Sequence, residues 1–177
     1  MTTAIANYRI KQRFDRWDAD GDGALDRSDF EREAADIAAA FGKNIESRQG
    51  RALRNAFRSL FDYHACKAGV GPDGRITEGQ FLDIYERLMF HQGELSFNRV
   101  LRPVIQALIG LCDANNDGHI NRTEFATWLH GLGVGPVDAR KAFDRIDTNG
   151  DGELSVEELL KAVRDFHYGR LDATMLG

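Results

Sequence analysis

Three twelve-residue segments share one pattern, and it constrains this chain more than any other feature. Asp18 to Asp29 reads DADGDGALDRSD, Asp113 to Glu124 reads DANNDGHINRTE, and Asp147 to Glu158 reads DTNGDGELSVEE. Each places Asp at position one, Asp or Asn at three, Asp at five, Gly at six, an aliphatic residue at eight and an acid at twelve. Self-similarity of this kind marks a duplicated supersecondary unit. A fourth, eroded copy, Gly69 to Gln80, reads GVGPDGRITEGQ. It aligns through Gly74 at six and Ile76 at eight, and is expected to keep the turn while lacking the acids.

Every loop is flanked by apolar residues at helical spacing. Ile10, Phe14 and Trp17 precede the first loop, and Phe30, Ala34, Ile37, Ala38 and Phe41 follow it. Leu53, Phe57, Leu60 and Phe61 precede the second, with Phe81, Ile84, Tyr85 and Leu88 after it. The third has Val104, Leu108 and Leu111, then Phe125, Trp128, Leu129 and Leu132. The fourth has Ala139, Phe143 and Ile146, then Leu159, Val163 and Phe166. This predicts an all-α fold of four helix-loop-helix units in two pairs, residues 1–92 and 93–177, packed into one compact body. Short antiparallel bridges should join Leu25 to Ile76 and Ile120 to Leu154. Pro103, inside the third entering helix, should kink or restart it near Arg102. Pro136 should start the entering helix of the last unit.

A hard dication takes six to eight oxygen ligands, and a twelve-residue loop can supply them if alternate side chains converge. In the first loop the expected ligands are Asp18, Asp20, Asp22 and Asp29, with the backbone carbonyl of Ala24. In the third they are Asp113, Asn115, Asp117 and Glu124, with the carbonyl of His119. In the fourth they are Asp147, Asn149, Asp151 and Glu158, with the carbonyl of Glu153. Gly23, Gly118 and Gly152 allow the bend at position six. Asp26, Asn121 and Ser155 stand at position nine, where water often intervenes. Positions nine and twelve also form helix-capping pairs, namely Asp26 with Asp29, Thr77 with Gln80, Asn121 with Glu124 and Ser155 with Glu158. Capping accounts for those pairs without a metal, but not for three more carboxylates or amides gathered within five residues. The second loop has Gly69, Gly71 and Gln80 at one, three and twelve, and is expected to bind nothing and to brace the first. Asp29 is one methylene shorter than Glu, which should weaken calcium binding there and let magnesium compete.

These residues are identified as a member of the EF-hand superfamily, over residues 10 to 166. The live, dead, live, live order of the loops and the segments RFDRWDADGDGAL, FNRVL and AVRDFHYGRLD resemble bacterial members of the sarcoplasmic-calcium-binding-protein type. The resemblance implies a compact, cytosolic, all-helical molecule with two EF-hand pairs and three calcium ions. Asp at position twelve of the first loop is part of the same resemblance.

Function follows less directly. The 177 residues carry a formal charge of −5, so no basic footprint for nucleic acid is present. Three bound dications would add six and bring it to +1. No apolar run is long enough to span a membrane, and a cytoplasmic monomer is expected. Cys66 and Cys112 are too few and too far apart for a disulfide framework or a zinc pair. A calcium sensor exposes a groove lined with flexible Met, yet this chain has three Met, two of them Met1 and Met175 near its ends, against eleven Phe. A calcium buffer or transporter is therefore the expected role, with a sensor acting on an unknown partner as the alternative. The C-terminal segment carries Leu171, Met175 and Leu176 at helical spacing and should fill a cleft of its own protein. No nucleophile with a recognisable base and no Gly-rich phosphate loop suggests an enzyme.

Overall fold

The structure is a computed structural model and describes residues 2–131 and 133–171. Helix α1 (Thr2–Trp17) buries Ala6, Ile10, Phe14 and Trp17, a stripe at steps of four, four and three. The first loop leads through strand β1 (Ala24–Leu25) into α2 (Arg27–Ala40). Helix α3 (Arg48–Ala68) starts at an N-cap, Ser47, whose hydroxyl accepts from the Gly50 amide at 3.0 Å. It ends where Gly69 turns left-handed. Strand β2 (Ile76–Thr77) and α4 (Glu78–Glu86) complete the second unit.

The second unit runs almost directly into the third. A π-helical turn over Arg87–His91 leads to α5 (Gly93–Cys112), which leaves little free linker between the halves. The restart expected at Pro103 does not occur, since α5 is unbroken across it. One missing ladder donor is tolerated because Phe97, Leu101, Val104 and Ile105, on both sides of the proline, are all buried. The third unit closes with β3 (Ile120–Asn121) and α6 (Arg122–Gly131). The fourth comprises α7 (Pro136–Ile146), β4 (Glu153–Leu154) and α8 (Val156–His167), with Pro136 in the first turn of α7 as expected.

The bridges form in the expected register: Leu25 opposite Ile76 and Ile120 opposite Leu154, both pairs antiparallel. All four side chains are fully buried, so each bridge also seals the top of a core. One continuous core runs through both halves, with α5 packed on α3 and α8, and α1 on α8. Polar contacts reinforce this seam. The Tyr168 hydroxyl donates to the Met89 carbonyl, and Arg164 pairs with Glu94 at 3.2 Å. Leu171 packs against the core and its carbonyl accepts from Arg9 at 2.9 Å. Leu132, Met175 and Leu176 lie outside the described residues. Among the described residues, no helix is long and apolar enough to cross a membrane.

Candidate metal centres

Each Asp-rich loop is held by a similar set of hydrogen bonds, built from its own backbone. The carboxylate at position one bridges the loop: Asp18 accepts from Asp22 and Gly23 amides at 3.1 and 2.9 Å, and Asp113 from Asp117 and Gly118 at 3.2 and 2.8 Å. Asp147 accepts from Gly150 and Gly152 at 2.7 and 3.0 Å. Position five accepts from the amide of position seven, with Asp22, Asp117 and Asp151 receiving Ala24, His119 and Glu153 at 3.1, 2.9 and 2.9 Å. These bonds fix the carboxylates of positions one and five in each loop. Ligand oxygens of Asp18, Asp20 and Asp22 lie within 4.8 Å of one another, an arrangement of like charges that a dication would relieve.

The backbone bends at two places in each of these loops. Position six is left-handed in Gly23, Gly118 and Gly152, as the sequence suggests. Position four is left-handed as well, in Gly21, Asn116 and Gly150, a Gly/Asn signal that sequence reading overlooked. The second loop breaks both requirements. Pro72 stands at position four, where its ring forbids positive φ, and Gly74 does not take the left-handed form. Its amide instead closes a turn onto the Gly71 carbonyl at 2.8 Å. The expectation that this copy keeps the loop turn is therefore corrected, and what it keeps is the β-bridge at Ile76.

Position twelve distinguishes the first centre from the others. Glu124 accepts from Asn121 and, across the loop, from Ala114 at 2.9 and 2.8 Å. Glu158 likewise accepts from Ser155 at 3.1 Å and from Thr148 at 3.0 Å. Burial pushes the Glu158 carboxyl up, but donors from Ser155, Asn149 and Thr148 outweigh it and hold it below the ordinary value. Asp29 accepts from the Asp26 amide at 2.9 Å with Oδ2, while its buried Oδ1 accepts no hydrogen bond and has only the Arg32 guanidinium at 3.9 Å. Only 4% exposed, Asp29 has its carboxyl pushed up by burial. A buried carboxylate oxygen that accepts no hydrogen bond is costly, and the long contact to Arg32 leaves Oδ1 of Asp29 able to take a metal at the first centre. The four capping pairs between positions nine and twelve are all present.

Sequence comparison bears on the same loops. Models described as EF hand match residues 10–32 and 105–130, and an EF-hand domain model matches 138–170. Calerythrin of Saccharopolyspora erythraea is 59% identical over 177 residues, covering all of both chains. The chain belongs to the calerythrin family of EF-hand proteins. A calcium-binding protein of Streptomyces coelicolor, solved in a study of calcium-mediated regulation, is similar to this calerythrin-family chain. It shares 32% identity and a TM-score of 0.71, over 92% of this chain and 98% of that one. The luciferin-binding protein of Renilla reniformis is 28% identical over 95% of this chain and 88% of its own. A calerythrin-type chain is a calcium-binding, non-enzymatic EF-hand protein, with Ca²⁺ as the cation its loops take.

Proposed function

We propose that the protein is a cytoplasmic, monomeric calcium buffer or transporter that binds three ions. The first is held by Asp18, Asp20, Asp22, Asp29 and the Ala24 carbonyl, with magnesium competing most at this centre. The second takes Asp113, Asn115, Asp117, Glu124 and the His119 carbonyl, and the third Asp147, Asn149, Asp151, Glu158 and the Glu153 carbonyl. On this reading residues 1–92 carry one active loop and its brace, and residues 93–177 carry two active loops.

The observation that carries the buffer role is the closed core. Met89, the one internal methionine, is 3% exposed, and Trp17 stands in ring contact with Phe30, Phe57 and Phe81 at 4.8 to 6.0 Å. Exposed large apolar side chains among the described residues are scattered: Ile5, Tyr8, Phe90, Leu95 and Val137. Such a molecule has little to offer a partner helix.

A sensor is the second reading, favoured by a cavity of about 120 Å³ between the halves, lined by Trp17, Phe41, Phe57, Leu101 and Trp128. The regulatory context of the Streptomyces coelicolor relative points the same way. Fluorescence of an apolar-surface dye, followed in excess magnesium as calcium is raised through saturation, separates the two. A flat or falling signal is expected for a buffer, and a calcium-dependent rise would replace that reading with the sensor.

A further inference from the structure

We propose that Arg75, a residue of the inactive second loop, sets the cation affinity of the first loop by competing with the metal for Asp22. The inference rests on the first loop holding a divalent cation, and it turns on what satisfies the outer oxygen of the position-five carboxylate. In the third loop, Asp117 Oδ2 accepts from the Asn115 side-chain amide at 2.5 Å, and in the fourth, Asp151 Oδ2 accepts from Asn149 at 2.9 Å. In the first loop position three is Asp20, which has no proton to donate. There, Oδ2 of Asp22 is paired with the Arg75 guanidinium, which reaches over from the neighbouring loop.

The fold explains how it arrives. The bridge pairs Ala24 with Thr77 and Leu25 with Ile76, so the next step of the antiparallel register carries Arg75 alongside Asp26 at the rim of the first loop. Ala24 at position seven has no side chain beyond Cβ, and leaves open the lane toward Asp22. The C-terminal pair fills the corresponding lane with His119 and Glu153, whose side chains approach to 4.0 Å.

The two arrangements differ in what a cation must do to enter. A neutral Asn amide can rotate and present its own oxygen to the metal. A guanidinium has no acceptor and keeps its charge, so it must leave Asp22 or stay beside a dication. Before the metal binds, the same guanidinium relieves repulsion among Asp18, Asp20 and Asp22, which stabilises the metal-free loop. Both effects lower affinity. Arg75 is 52% exposed and therefore screened, which limits the effect to about two- to fivefold.

The test uses Trp17, which adjoins Asp18. In a W128F background it is the only tryptophan of the full chain, and its fluorescence follows the first centre as calcium is titrated. Equilibrium dialysis counts bound ions in parallel. Arg75→Gln should move the first-site midpoint to about two- to fivefold lower calcium, and the difference should shrink in high salt. Arg75→Lys, which keeps the charge, should stay close to the parent. Three bound ions with an unchanged or higher midpoint in R75Q would overturn the role of Arg75 alone. Two bound ions and a silent Trp17 in parent and variant would remove the first centre, and this proposal with it.

Discussion

Asp29→Glu should convert the first centre into the geometry of the other two. Adding one methylene extends the carboxylate by about 1.5 Å. Glu124 and Glu158 use that length to reach the position-two amides of Ala114 and Thr148 at 2.8 and 3.0 Å, while Oδ1 of Asp29 is buried without a hydrogen bond, 3.9 Å from Arg32. The longer side chain can keep the capping contact to the Asp26 amide, because Glu124 and Glu158 make the same contact to Asn121 and Ser155. A new charge-assisted bond to the Ala19 amide should stabilise the metal-free protein by about 1–2 kcal/mol. Reaching the ion with both oxygens raises coordination beyond six, which magnesium does not accept and calcium does. We expect the calcium-over-magnesium preference of the first centre to rise by about tenfold, measured as the calcium midpoint of Trp17 fluorescence, in the W128F background, at several fixed magnesium concentrations. An unchanged ratio would refute the account of position twelve.

Two further outcomes are expected. Glu158→Gln replaces an oxygen that accepts from Thr148 or Ser155 with an amide nitrogen that cannot; bound calcium should fall from three ions to two by dialysis, and three ions would contradict the assignment. His64 is fully buried, stacked on Phe81 with its Nδ1 2.6 Å from the Leu60 carbonyl, and burial lowers its pKa from 6.5 to about 4. Because the folded value lies below the unfolded one, this contribution is complete above pH 6.5 and is lost as pH falls toward 4. Linkage sets the loss at about 2 kcal/mol between pH 7 and pH 5. His64→Phe should remove that slope in denaturant melts at saturating calcium, and equal slopes in parent and variant would refute it.

How much of this was legible in advance depends on the range of the interaction. The loops and their bridges are set by local spacing, so Leu25 and Ile76 could be paired from positions within each repeat. The absence of a restart at Pro103 has the opposite origin, since a proline's local cost was outweighed by burial of Phe97, Leu101, Val104 and Ile105. The capping contacts of Glu124 and Glu158 were visible in the spacing of positions nine and twelve, but the missing hydrogen bond at Oδ1 of Asp29 was not, because it depends on how deeply the loop is buried. Arg75 reads as an ordinary polar residue of a dead loop until the bridge places it beside Asp22. Pro72 was in plain view, and its meaning emerged only when position four proved left-handed in the other three loops.

The ring cluster beneath the first centre connects metal binding to the choice between buffer and sensor. Trp17 immediately precedes Asp18 and packs edge-on against Phe30, Phe57 and Phe81, so α1 and α2 cannot swing apart without separating these rings. Aromatic pairs contribute about 0.5–1.5 kcal/mol each beyond area burial, which sets the barrier to opening from this cluster alone at about 2–4 kcal/mol. A ligand moves such an equilibrium only by its differential affinity for the two states. Calcium at the first centre would therefore have to bind an open form at least about thirtyfold more tightly than the closed one to expose the core. The closed form already holds oxygens of Asp18, Asp20 and Asp22 within 4.8 Å of one another, and so leaves little of that differential to be gained.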